Sequence, residues 1–237
     1  PMGPAIIGVS EVENITVMQD LARDEQLKAW NLQVLHHDSP DRRGIDVGFL
    51  FNPRLFRPLN VTHHTLVVES NPNFRTRDQS CVSGLLLGEP VSVIVNHWPS
   101  RLGGQKQSSY LIMGDLNDDP MDPSCAEVLG AKRNVKDVKE GGWYNPWWDV
   151  LASGVGTLAY RGQWNLFDQI IINYNLVGKD RSTLKYFKCK VHNDIPGIRT
   201  EEGDRTGYPL RTFASGVYLN GYSDHFPTQI FLTRELK

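Results

Sequence analysis

The chain has 237 residues, 40% hydrophobic and 22% charged, with a formal net charge of −2. That size suits one large layered domain; the charge provides no global positive field of the kind that draws proteins to nucleic acid; and no run nears the roughly 18 apolar residues of a membrane-spanning helix. Three widely spaced cysteines, Cys81, Cys125 and Cys189, make neither a disulfide framework nor a zinc-ligand pattern.

The opening segment PMGPAIIGVS lacks the basic start and long apolar core of a signal peptide. The compartment is left open, secretion and the periplasm included. AIIGVS (5–10) reads as a strand, and ENITVMQDLARDEQLKAW after it has helical spacing, with Ile15, Met18 and Ala22 on one stripe and Val17 and Leu21 beside it. Further runs rich in Ile and Val follow: DVGFLF (46–51), HTLVVE (64–69), VSVIVN (91–96), SYLIMG (109–114), DQIIIN (168–173) and TQIFL (228–232). They read as strands, most of them buried on both faces. A strand, a helix and then many strands predict a layered α/β or α+β protein, and with no repeat or long linker residues 1–237 read as one domain. One connection is short. If 91–96 and 109–114 are parallel neighbours, their crossover needs a dozen or more residues and usually a helix, whereas WPSRLGGQKQSS is helix-poor. Either those strands are antiparallel or a segment near Gln105 is absent.

Polar residues gather at the strand ends. Glu11 follows the first run, Asn96 and His97 follow VSVIV, and Asp115 and Asn117 follow YLIMG; Asp168, Asp224 and His225 instead precede their runs. Strands of opposite direction in a mixed sheet bring both kinds of end to the same rim. The predicted rim has Glu11, Asp115, Asp168 and Asp224 around His97 and His225. Clustered carboxylates repel one another unless a cation sits among them, and oxygen ligands favour Mg²⁺, Mn²⁺ or Ca²⁺ over zinc. Such a rim suits hydrolysis of a phosphate ester. Taken singly, these residues have plainer readings: Asp118 and Asp119 before Pro120 as turn formers, Asp115 and Asn117 as loop caps, Glu11 as a surface residue with Glu13 beside it. Their co-occurrence at strand ends is what those readings leave unexplained.

SEV (10–12), NHWPSR (96–101), GDLND (114–118), FDQI (167–170) and SDH (223–225) stand in an order that resembles the endonuclease/exonuclease/phosphatase superfamily, the DNase I-like metal-dependent phosphoesterases. The resemblance implies a four-layered α/β sandwich of two packed mixed sheets flanked by helices, with the site at one rim. By the same resemblance Glu11 and Asp224 bind the metal, Mg²⁺ or alternatively Mn²⁺ or Ca²⁺. Asp115 orients or activates the attacking water with Asn117 as its transition-state partner, His97 contacts phosphate, and Asp168 orients His225. Arg43 and Asp46 in RRGIDVGFLF look family-like without an assigned role. Two departures stand out: the family begins with a strand that shares the metal with the glutamate, and it has a helix before GDLN. The expected activity is phosphodiester hydrolysis by a nuclease acting as a monomer on a phosphate ester such as nucleic acid. The alternatives are a phosphomonoesterase, a phospholipid or inositol-phosphate phosphatase, and a non-catalytic binding module. Trp143, Tyr144, Trp147 and Trp148 read either as a stacking surface for bases or, more commonly for such stretches, as loop packing. Lys185, Lys188 and Lys190, with Arg199, Arg205 and Arg211, read as a phosphate-facing surface or as a solvated face.

Overall fold

Short β-branched runs need partners on both edges and both faces, and the computed structural model, which describes residues 3–41, 43–67, 75–97 and 109–235, shows how they find them. The chain divides into two units, Pro1–Ser100 with Gln105–Leu116, and Arg101–Gly104 with Asn117–Lys237.

In the first unit, β1 (Ile6–Val12), β2 (Gln33–His36) and β3 (Asp46–Phe51) form an antiparallel sheet in the order β1-β3-β2. β4 (Phe56–His64), β5 (Gln79–Leu86), β6 (Glu89–His97) and β7 (Ser109–Asp115) follow one another across a mixed sheet, antiparallel from β4 to β6 and parallel from β6 to β7. The two sheets pack face to face, β1 and β3 lying on β5, β6 and β7, so all of β3 is buried. The other face of β1-β3-β2 is covered by α1 (Ile15–Arg23), whose Asn14 cap accepts from the Val17 amide at 3.1 Å. Met18 and Ala22 join Val12, Leu32 and Leu50 in a core cluster. Ile15, Val17 and Leu21 are exposed, unlike the expected stripe. The helix stops at Arg23, and a nine-residue helix lying on a sheet needs only one i, i+4 pair. Leu27 and Trp30, beyond the helix, complete the contact.

The strand expected at 64–69 is displaced. β4 ends at His64, residues 65–67 are irregular, and 68–69 lie outside the described residues. β4 is a mostly exposed strand with Pro58 beside a register shift, the placement a proline requires. β6 and β7 pair in parallel, which excludes the antiparallel alternative. The short connection itself, 98–108, and with it the site of the expected absent segment, lies outside the described residues.

In the second unit, β8 (Trp143–Tyr144) pairs antiparallel with β11 (Asp168–Asn173), and β9 (Leu158–Tyr160) with β10 (Gln163–Asn165). β12 (Lys185–Val191) pairs with β15 (Thr228–Thr233), which lies against β11, and β13 (Phe213–Ala214) pairs with β14 (Val217–Tyr218). Trp147, fully buried before α2 (Trp148–Ala152), donates its indole N–H to the Ile170 carbonyl at 3.1 Å. Trp147 therefore packs the core beneath β11, as the commoner of the stretch's two readings expects, while Trp143, Tyr144 and Trp148 are half-buried.

Candidate active site

The first unit places one group of polar residues where three strands end. β6 and β7 run parallel in register, so His97 stands opposite Asp115, and His97 Nε2 lies 3.8 Å from Asp115 Oδ2 with both side chains largely buried. One step earlier Asn96 stands opposite Gly114. The Asn96 carbonyl accepts from Ser10 Oγ at 3.4 Å, which ties β1 to the end of β6. A Cβ on residue 114 would sit 1.8 Å from that same carbonyl oxygen, at φ +140°, so only glycine fits there. Asn96 Nδ2 donates to its own strand's Ile94 carbonyl, while its buried Oδ1 has no hydrogen-bond partner.

Glu11 lies inside β1, not beyond it. The register with β3 slips between Ser10 and Val12, and Glu11 occupies the bulge with φ +58°. A bulge turns one side chain out of the strand's alternation, and here it leaves the Glu11 carboxylate exposed, 3.8 Å from Arg43 Nη1. Arg43 is thus the cation facing the expected metal-binding glutamate. Asp46 does something else: it is buried at the start of β3 and accepts from Ser39.

The second unit holds the other group. His225 Nδ1 and Asp168 Oδ2 are 2.7 Å apart. The bond is framed from below: the Phe226 amide donates to the Thr157 carbonyl at 2.7 Å, the Asp168 amide to Thr157 Oγ1 at 3.4 Å, and buried Phe226 stacks on Trp164. Asp224 faces Arg211, Oδ2 to Nη2 at 3.4 Å. Asn117 is held at φ +50° at the start of the loop after β7. Asp118 and Asp119, expected as turn formers, also clamp that loop. Asp119 accepts from the Leu166 amide at 2.6 Å and from Asn165 Nδ2 at 2.7 Å, and the Asp118 carbonyl accepts from Gln169 Nε2 at 2.7 Å. The lysines are engaged elsewhere: Lys185 Nζ donates to the Asn175 carbonyl, Lys190 pairs with Asp194, and Lys188 lies over Phe231.

Of the residues expected at one rim, Glu11, His97 and Asp115 therefore belong to the first unit, and Asn117, Asp168, Asp224 and His225 to the second. Residues 98–101 of the NHWPSR motif lie outside the described residues. The sequence reading named Arg211 without its partner Asp224 and missed the Gln169, Asn165 and Asp119 clamp: Gln169 stands inside FDQI, but its role, like theirs, is set by what the fold brings opposite. Each unit offers groups of the kind a hard divalent cation takes: in the first the Glu11 carboxylate and a buried Asn96 amide oxygen without a hydrogen-bond donor, in the second the Asp224 carboxylate. Exposed arginines beside both carboxylates would also meet an anionic ligand.

Residues 2–111 and 106–234 match the Endonuclease/Exonuclease/phosphatase family. Among curated proteins none matches the chain significantly. Solved structures similar to it include D. rerio TDP2 complexed with a single-strand DNA product, at 15% identity over 97% of this chain and 85% of that one, TM-score 0.56. A mannosyl-6-phosphatase of Bacteroides thetaiotaomicron is 15% identical over 97% and 85% of the two chains, TM-score 0.55. An endonuclease/exonuclease/phosphatase family protein of Leptotrichia buccalis is 14% identical over 98% and 87%, TM-score 0.57. At these identities the likeness shows a shared fold, the DNase I-like α/β sandwich expected from the sequence.

Proposed function

Because the chain belongs to the endonuclease/exonuclease/phosphatase family, we propose that it is a divalent-metal-dependent phosphoesterase that cleaves phosphodiester bonds, with a nucleic-acid strand as substrate. The observation that carries this reading is the 2.7 Å bond between Asp168 and His225. A carboxylate on Nδ1 fixes the imidazole's tautomer and orientation and stabilises the imidazolium, so Nε2 becomes the atom that meets developing charge on phosphate. Asp115, at the end of β7, is the carboxylate that orients the attacking water, and His97 beside it, on β6, contacts a phosphoryl oxygen. Asn117, held in its strained conformation by the loop clamp, donates its amide to the same charge. Glu11 and Asp224 would hold a hard cation such as Mg²⁺, which when bound neutralises phosphoryl oxygen charge and stabilises the leaving oxygen. In this reading Arg43 and Arg211 pair with substrate phosphate when their carboxylates are engaged.

The test compares a phosphodiester chromogen, a phosphomonoester chromogen and a single-stranded oligonucleotide, each with Mg²⁺, with Mn²⁺, with Ca²⁺ and with chelator. Diester and oligonucleotide cleavage that chelator abolishes, and that Asp115→Asn or His225→Ala lowers by about 10²–10⁴-fold, is the expected result. Preference for the monoester would replace the nuclease assignment by a phosphatase. Metal binding without turnover on any of the three would replace it by a binding module.

A further inference from the structure

A separate group of metal-ligating side chains lies at the other end of the segment that presents Arg43. His36 ends β2, Asp46 begins the neighbouring β3, and Asp38 stands two residues beyond His36. One ligand atom from each lies within 4.8 Å of the others. The His36 side chain is only 3% exposed, and its Nε2 makes no hydrogen bond although it stands 3.2 Å from Asp46 Oδ2. Nitrogen and oxygen that are this close yet misaligned for N–H···O are placed as two ligands of one ion would be. Atoms each about 2.1 Å from a common ion, at tetrahedral to octahedral angles, stand about 3.0–3.4 Å apart. The second oxygen of Asp46 is occupied, Oδ1 accepting from the Ser39 amide at 2.9 Å and from Ser39 Oγ, which turns Oδ2 toward the imidazole. That is how ligating carboxylates are usually oriented by their neighbours. The Asp38 carboxylate, 90% exposed, stands 3.6 Å from His36 Nδ1 and is the third member of the group.

We propose that His36, Asp38 and Asp46 form a metal site distinct from Glu11 and Asp224, suited to a borderline ion of the Zn²⁺ class. One imidazole with two carboxylates is a softer set than the all-oxygen donors that Mg²⁺ and Ca²⁺ take. The site joins the two ends of the β2–β3 connection. That connection carries Asp41, which is 3.4 Å from Arg77, and Arg43, which is 3.8 Å from Glu11. An ion here staples the base of the segment that sets Arg43 against the glutamate.

The test uses full-length, chelator-stripped protein carrying Glu11→Gln and Asp224→Asn, so that the proposed catalytic carboxylates do not contribute. Zn²⁺ is titrated by calorimetry, and Co²⁺ by its visible absorption. The expected result is one equivalent bound with imidazole–carboxylate Co²⁺ bands, weakened at least tenfold by Asp38→Asn and abolished by His36→Gln. Asp38 is so exposed that its substitution spares the fold, which circular dichroism confirms. Absence of Zn²⁺ and Co²⁺ binding, or binding that Asp38→Asn leaves unchanged, overturns the proposal and leaves His36 as an imidazole held between two carboxylates. Neither result depends on the protein's turnover.

Discussion

Gln169 offers the clearest link between the core of the second unit and the loop that holds Asn117. It follows Asp168 on β11, is fully buried, donates to the Asp118 carbonyl at 2.7 Å and accepts from Asn145 Nδ2 at 2.6 Å. Gln169→Leu removes both bonds, together with the weak 4.0 Å one from Cys125 Sγ, at nearly constant volume, so little cavity is created and the loss isolates the polar network. Two partners are stranded, a fully buried Asn145 amide and a loop carbonyl. At about 1–3 kcal/mol for each buried group left unsatisfied, the cost is about 2–6 kcal/mol. That is a large part of the roughly 5–15 kcal/mol that holds a domain folded. Urea unfolding followed by tryptophan fluorescence should show a lower midpoint at unchanged slope. Freed from Gln169, the Asp118 carbonyl no longer pins the loop that holds Asn117, and kcat should fall about 10–100-fold in molecules that remain folded. A stability loss below about 1 kcal/mol would refute the reasoning, because it would mean water or relaxed backbone satisfies both groups.

Gly114→Ala should lower stability by at least about 3 kcal/mol, since the added methyl meets the Asn96 carbonyl at 1.8 Å; a thermal melt within a degree or two of wild type would contradict that contact. Asp168→Asn keeps the shape of the His225 pair but takes away the charge that selects the tautomer, so turnover should drop by about 10²–10⁴-fold with stability nearly unchanged. Burial pushes the Cys125 thiol up to about 11, which leaves about one thiolate in a thousand at pH 8. Thiol reagents should therefore react with Cys125 only after unfolding, and prompt labelling of the native protein would show it to be accessible. The same shift has a stability consequence. The folded protein holds this proton more tightly than the unfolded chain, so the contribution is complete below about pH 9 and is lost as pH rises through about 11, by at most about 3 kcal/mol. Cys125→Ala should flatten that alkaline limb of unfolding stability.

The sequence was most legible where apolar runs are continuous. β3, β6 and β11 fall within a residue or two of the runs that announced them, because strands buried on both faces carry an unbroken Val and Ile signal, and the partly buried β7 and β15 keep enough of that run to do the same. β4 and β12 were missed for the complementary reason: FRPLNVTHH and KYFKCKV alternate or face solvent, and half-exposed strands borrow their definition from neighbours. The β5–β6 and β9–β10 hairpins turn on Leu87-Gly88 and Arg161-Gly162, so the asparagine–glycine signal that reveals such turns is absent. At the site, motif order was enough to bring Asp168 and His225 under suspicion together. Arg43 and Arg211 were singled out, but not the carboxylates they face, because Arg211 precedes a two-strand hairpin with no apolar run and Arg43 sits in a polar connection. Whether a carboxylate meets an arginine depends on backbone direction, and periodicity does not carry that.

Backbone strain separates the candidate residues from ordinary turn residues. Among the described residues, seven other than glycine have positive φ: Glu11, Asn31, Leu87, Asn117, Arg161, Ser215 and Asn220. Leu87, Arg161 and Ser215 each precede a glycine that also has positive φ, in two-residue hairpin turns where the strands' own twist demands both. Asn31 is the left-handed cap of a short helix. Those four have local causes, and Asn220, just beyond β14, is an asparagine, which tolerates this region, with its Oδ1 accepting from the Tyr218 hydroxyl at 2.9 Å. Glu11 has none of these causes: it is a glutamate in a strand interior, at a bulge, where the conformation costs about 1–3 kcal/mol and a glycine or asparagine would be easier. Asn117 pays less, since asparagine tolerates this region, but its loop is fastened by the clamps at Asp118 and Asp119. Strain that a nearby substitution could relieve persists where the side chain itself is needed. If Glu11 served only to face Arg43 across 3.8 Å at the surface, the pair would return well under the cost of the bulge. Glu11→Gly should therefore raise thermal stability while removing metal-dependent turnover, and a destabilised Glu11→Gly protein would show that the strain belongs to the fold rather than to the site.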